Sequence, residues 1–173
     1  SKRDSDWGYS LEEKKLYLKG YKPSAGNPAE LVEFEAEKTF NKVWSNGVGD
    51  GQGGIYNRLT PAVDNGVVYV AAANGKVEAI SLDRGKTLWS TNVDKGLSGG
   101  VGAGSGLVLL GAVSGELIAL DQESGELRWR VEVNGEILAP PQTNGRQVIA
   151  QTLAGEVLGL SFEDGEQLWS YKA

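Results

Sequence analysis

The chain contains no cysteine and no histidine among its 173 residues. The first absence rules out a disulfide and any thiolate metal site, and leaves the redox compartment unreadable from thiol usage. The second removes the usual general base at neutral pH and the commonest zinc ligand. Carboxylate, lysine or tyrosine chemistry survives these exclusions; most other familiar catalytic sites do not. Positive charge is scarce as well: 17 lysines and arginines stand against 23 aspartates and glutamates, a net charge of −6. Such a balance offers no basic footprint for a phosphate backbone, so no nucleic-acid partner is expected. No apolar run approaches the ~18 residues of a membrane span. Ser1 stands where an initiator methionine would, which reads as processing or trimming.

What the chain has in excess is glycine, 25 residues, about double the ~7% average. The glycines fall at regular places. Gly75, Gly115 and Gly155 recur every 40 residues, each followed ten positions later by Gly85, Gly125 and Gly165, and four positions after that by Trp89, Trp129 and Trp169. A fixed period of this length marks a repeat architecture. In the unit from 99 to 133, the turn cluster Gly102 to Gly106 precedes the apolar run Leu107 to Val113. Ser114-Gly115 and Glu123-Ser124-Gly125 then set off two further strand-length pieces. Leu127, Trp129, Val131 and Val133 alternate with Arg128, Arg130 and Glu132, which predicts one face inward and one outward over the whole segment. Three glycine-bearing turns therefore divide each unit into four short strands.

The continuous apolar second strands, Val67 to Ala73 above all, predict sheets covered on both faces. The charged, alternating fourth strand reads as an outer edge. Four-stranded antiparallel sheets of this length packed face to face are β-propeller blades, so the fold class is all-β. The blades are placed at about 59–94, 98–134 and 138–172, within a partial propeller over 40–173. One residue extra between Gly145 and Gly155 is the single slip in register. Trp89, Trp129 and Trp169 are expected to be structural, wedged between neighbouring sheets where a large ring suits the widening gap. Trp44 has the same local context without a blade before it, so 41–48 reads as an orphan fourth strand of the kind that fastens a ring. Three blades fall short of the four to eight of a closed propeller. The chain is accordingly expected to be the front portion of a longer protein, the alternative being completion by partners. Residues 1–39 read as a polar tether, with a helix-compatible patch at Leu11 to Leu18.

Two motifs invite a chemical reading and fail on context. Gly49-Asp50-Gly51-Gln52-Gly53-Gly54 satisfies G-x-G-x-x-G, yet Ile55 to Pro61 lacks the helical period that a dinucleotide site requires after it. Gly96-Leu97-Ser98-Gly99-Gly100 matches the G-x-S-x-G nucleophile elbow in a chain with no histidine to take the serine proton. Carboxylates at turns, such as Asp83, Asp121, Glu123, Glu163 and Asp164, read as solvated or bonded to their own loops. No catalytic, cofactor-binding or metal-binding residue is assigned.

Ala119-Leu120-Asp121-Gln122-Glu123-Ser124-Gly125-Glu126-Leu127-Arg128-Trp129 resembles the A-x-D-x-x-T-G-x-x-x-W repeat of quinoprotein-type propellers. Ala79 to Trp89 and Gly159 to Trp169 are weaker copies, with Ser81 and Ser161 in place of the aspartate. Pro28 to Val32, Val43 to Ser45, Gly49 to Asn57, Leu59 to Val63 and Ser98 to Gly102 add irregular segments that resemble the N-terminal part of the BamB family of outer-membrane protein assembly factors. That resemblance covers roughly 28 to 173 and implies an eight-bladed ring, without cofactor or enzymatic activity, on the periplasmic face of the bacterial outer membrane. It further implies a lipid anchor absent from this chain, a scaffold role in β-barrel assembly, and contacts with BamA periplasmic domains, other assembly-complex subunits and nascent outer-membrane proteins. No partner-binding residue carries over. Two alternatives remain: a fragment of a pyrroloquinoline quinone dehydrogenase-like propeller, whose cysteine pair and calcium-binding side chains have no counterpart set here, or an excised or engineered partial propeller that self-associates.

Overall fold

Asn65 and Gly66 both take positive φ, 46° and 76°, the requirement of a two-residue type I′ hairpin. Ser105 and Gly106 do the same at 55° and 93°. In the computed structural model, which describes residues 7–10, 15–18, 41–51, 53 and 59–172, these turns open two of three four-stranded antiparallel sheets. The first contains β3 (Ala62–Asp64), β4 (Val67–Ala71), β5 (Lys76–Ser81) and β6 (Thr87–Asn92). The second contains β7 (Gly102–Gly104), β8 (Leu107–Gly111), β9 (Glu116–Asp121) and β10 (Leu127–Glu132). The third contains β11 (Gln142–Thr143), β12 (Gln147–Gln151), β13 (Glu156–Ser161) and β14 (Gln167–Lys172). Strand order follows chain order in each sheet, so the fourth strand is an edge in all three, although the charge expected there is dense only in β10, with one lysine in β14 and none in β6. These are propeller blades. The slip expected in the third repeat is not an inserted residue: Gln142 faces Ile149 as Gly102 faces Leu109 and Ala62 faces Tyr69, 40 residues apart on both strands, and only the turn glycine has moved, to Gly145. There the Asn144 carboxamide oxygen accepts the backbone N–H groups of Arg146 and Gln147, each at 3.0 Å.

The strict alternation expected from Leu127 to Val133 does not hold. Ala119 pairs with Trp129 but Leu120 pairs with Leu127, which leaves Arg128 as a bulge residue. The same bulge recurs in the other blades at Leu88 and Leu168. One inserted residue reverses the facing of everything before it. Leu127 is consequently 54% exposed while Trp129 is 7% exposed.

Two apolar cores lie between the blades. Tyr69, Val77, Leu97, Val108, Leu110 and Ile118 anchor the one between the first and second sheets. Leu109, Leu117, Ile137, Val148, Leu158 and Leu160 anchor the one between the second and third. Every residue of β8 is buried, so the middle blade meets the expectation of a sheet covered on both faces; β4 and β12 do so only in part. The first strands lie side by side, β3 against β7 and β7 against β11. They approach so closely that a Cβ on Gly102 would strike the Pro141 carbonyl oxygen. At the end of β8 the connector into the third blade crowds in likewise, and a Cβ on Gly111 would lie 2.6 Å from Ile137 Cβ.

Residues 1–41 form a separate unit. Within it β1 (Trp7–Ser10) pairs antiparallel with β2 (Lys15–Leu18), Trp7 opposite Leu18. The helix-compatible patch is therefore strand over 15–18, because its sequence also alternates at period two and pairing with β1 decides the outcome. The rest of the expected tether lies outside the described residues. Residues 41–48 form no ladder with any described strand.

Gly125 has φ 75°, and a Cβ there would lie 2.6 Å from Trp89 Cε3; Gly155 has φ 79° with nothing within 4 Å. Gly125→Ala is expected to destabilise the chain by about 3 kcal/mol, combining left-handed strain with a displaced ring. Gly155→Ala should cost about 1 kcal/mol from strain alone. Urea denaturation midpoints of the two variants check the difference.

Candidate interaction surface

The first and second blades each hand a tryptophan to the blade that follows. Trp89 Nε1 donates to the Gln122 carbonyl at 3.1 Å and Trp129 Nε1 to the Phe162 carbonyl at 2.9 Å. Their rings lie over Gly125 and Gly165, where any Cβ would collide. Thr91 reinforces the first of these junctions by donating to the Gly125 carbonyl at 2.9 Å. Trp44 does the same without a strand beneath it, covering Gly85 and donating to the Leu82 carbonyl at 2.7 Å. Trp169 departs from the expectation of a wedge between sheets. It is 40% exposed, and its Nε1 reaches the Gln147 side-chain oxygen of its own sheet at 3.4 Å. No sheet follows it among the described residues.

The turn beneath each tryptophan is held by a carboxylate, in two versions. Asp121 accepts the N–H of Ser124 at 2.9 Å, that of Glu123 at 3.0 Å, and the Ser124 hydroxyl. The backbone bond from Ser124 is the main reason its carboxyl is held below the usual range. In the other blades serine stands at that position and the acid has moved along the turn. Ser81 donates to Asp83, and Ser161 lowers Asp164 through a side-chain hydrogen bond. The apparent departures from the repeat thus keep its chemistry with donor and acceptor exchanged.

Both deceptive motifs prove to be blade connectors. Ser98 is 1% exposed, and its hydroxyl donates to the Ile137 carbonyl at 3.1 Å, joining the connector of the second blade to that of the third. Gly49, Gly51 and Gly53 take φ of 46°, 62° and 65°. The amides of Gly51 and Gly53 bond to the Val48 and Asp50 carbonyls, and the Gly51 carbonyl accepts the Ala73 N–H at 2.8 Å. The Gly96 and Glu136 carbonyls accept Val113 and Leu153 in the same manner. The glycine-rich loop is the first of three equivalent connectors, and these two amides are already engaged.

One buried carboxylate ties two blades together. Glu116 receives Lys95 Nζ at 2.6 Å, the Ser114 hydroxyl at 2.8 Å and Arg130 at 3.8 Å. Arg130 also donates to the Val93 carbonyl at 3.1 Å. The hydrogen bond from Lys95 is the chief cause that depresses the Glu116 carboxyl. Surface left for contacts consists of the edge strands, with β14 exposed throughout, and of exposed apolar side chains including Leu153, Leu168 and Tyr171.

A family model described as outer membrane protein assembly factor BamB matches residues 19–94 and 73–173. The chain belongs to the BamB family. The match begins ahead of Pro28, where the resemblance in the sequence starts. The BamB named from Pseudomonas aeruginosa is 49% identical over 77 residues, which cover 44% of this chain and 20% of that protein. The crystal structure of BamB from Moraxella catarrhalis aligns with a TM-score of 0.63 at 31% identity, covering 69% of this chain and 37% of the other. Quinohemoprotein alcohol dehydrogenase from Comamonas testosteroni aligns with a TM-score of 0.54 at 26% identity, covering 65% of this chain and 20% of the other. The chain thus spans well under half the length of these BamB relatives.

Ser98→Ala is expected to cost about 1 kcal/mol, the worth of one buried hydrogen bond, read as a shifted denaturation midpoint at unchanged slope. Glu116 and Asp121 are both depressed in the folded state. Their contribution is present above the ordinary carboxylate range and lost as pH falls through the depressed folded values. Melting temperature should therefore drop below about pH 4.5, and less steeply in Glu116→Gln.

Proposed function

We propose that this chain is part of a non-enzymatic scaffold for the assembly of outer-membrane β-barrel proteins, working on the periplasmic face of that membrane. The observation that carries this reading is the BamB family match over residues 19–94 and 73–173. Its contacts would be with the periplasmic domains of BamA, with other subunits of the assembly complex and with nascent barrel proteins. Attachment to the membrane would run through a lipid anchor. The four tryptophans Trp44, Trp89, Trp129 and Trp169 serve architecture in this scheme, Trp169 as the free member of the set.

Edges suit such work. A strand edge offers backbone donors and acceptors for strand addition, while neighbouring loops supply selectivity. The Ser98 hydroxyl joins two connectors, the Gly51 and Gly53 amides are engaged within their own loop, and the Gly51 carbonyl holds that loop to Ala73, which supports a structural use of both motifs. The likeness to a quinohemoprotein alcohol dehydrogenase supports a second reading. The residues fit it poorly: the chain has no cysteine, and no three acidic side chains gather as a metal site among the described residues.

Immobilised BamA periplasmic domains should retain the purified chain, and strand-edge charge changes such as Gln167→Lys on β14 should weaken retention. Absence of retention would defeat the scaffold reading. Calcium-dependent dye reduction after loading with pyrroloquinoline quinone would establish the second reading in its place.

A further inference from the structure

The junction of the first and second blades departs from its neighbour. At the next junction Phe162 stands where Gln122 does here and packs against the apolar cluster. Gln122 instead turns its amide away, donating to Asp64 Oδ2 at 2.6 Å and accepting the Gly106 N–H at 2.9 Å. A groove of about 410 Å³ lies between the blades, with Tyr69, Trp89, Leu88 and Val67 among its walls. The Tyr69 and Trp89 rings stand 6.0 Å apart at 39°.

The charge around this groove has one sign. Glu123 lines it, and Asp64 and Glu123 both act on the Tyr69 phenol, adding to the burial that chiefly pushes its pKa up. Neither carboxylate has an ion-pair partner among the described residues. Among the described residues no lysine or arginine lines the groove. In the next blade the bulge position held here by Leu88 is Arg128, which pairs with Asp121 at 3.4 Å.

Aromatic faces attract a cation, carboxylates complete its solvation, and aliphatic walls cover the stem of a long charged side chain. We propose that this groove seats an arginine side chain of a partner polypeptide, its stem along Leu88 and Val67, its guanidinium against the half-buried Trp89 ring and toward the exposed Glu123. The inference rests on the scaffold reading only in taking the occupant to be a polypeptide. It names no subunit.

The test uses the whole chain, ¹⁵N-labelled, with the Trp89 indole N–H resonance assigned through Trp89→Phe. The probe is acetyl-Gly-Arg-Gly-amide. A saturable shift of that resonance is expected, with the citrulline counterpart about ten-fold weaker. Glu123→Gln should weaken the arginine peptide similarly, while Glu163→Gln, at the equivalent place in the next blade, should leave it unchanged. Equal binding of citrulline, stronger binding of the phenylalanine counterpart, or no saturable shift up to roughly 10 mM would overturn the proposal. None of these outcomes bears on retention by BamA, so the two readings fail separately.

Discussion

The docking of an indole over a glycine, with its N–H on the adjoining carbonyl, is the constraint on which the blade stack depends. It joins segments 33 residues apart in Trp89–Gln122 and again in Trp129–Phe162. Three properties must coincide there. The glycine must lack a Cβ because the ring takes that volume, the backbone must turn left-handed, and the carbonyl must point outward to accept. The bulge before each tryptophan supplies the remaining element, since it swings the ring out of strict alternation toward the next blade. A ring of this size buries more apolar area than any other side chain could at the widening gap, and its polar handle makes the seat specific.

Around that dock, polar groups are spent on joining blades rather than on exposed chemistry. Lys95, Glu116 and Arg130 bring a connector, a third strand and a fourth strand into one charged cluster. Ser98 joins two connectors. No buried side-chain nitrogen or oxygen among the described residues lacks a partner. A buried charge removed from such a cluster would leave its partner uncompensated, which is why these groups hold geometry more than they add net stability.

The same economy separates the surfaces. The junction between the second and third blades closes on Phe162, whereas the first junction directs Gln122 to Asp64 and stays open. One position in the repeat therefore distinguishes a packed seam from a groove. Repeat proteins vary their function in this way: the framework positions are held by the dock, and the positions beside it are free to differ.

Much was legible in the residues. The 40-residue spacing and the turn pairs such as Asn65-Gly66 determined the four-stranded units, because turn chemistry is local. The place of each tryptophan in its unit was equally plain. Its surroundings were not: Trp129 is buried and Trp169 exposed in nearly the same local sequence, because burial depends on whether a neighbouring sheet stands against the ring. The bulges at Leu88, Arg128 and Leu168 also escaped an alternating pattern, as did the close approach that makes Gly102 and Gly111 necessary. Ser98 and the Gly49–Gly53 loop resembled active-site motifs until their partners were known. Sequence alone determined the unit and its identity; tertiary structure decided which faces are covered, which glycines are indispensable and where a groove remains, because each depends on atoms some 30 to 40 residues away in the adjoining blade.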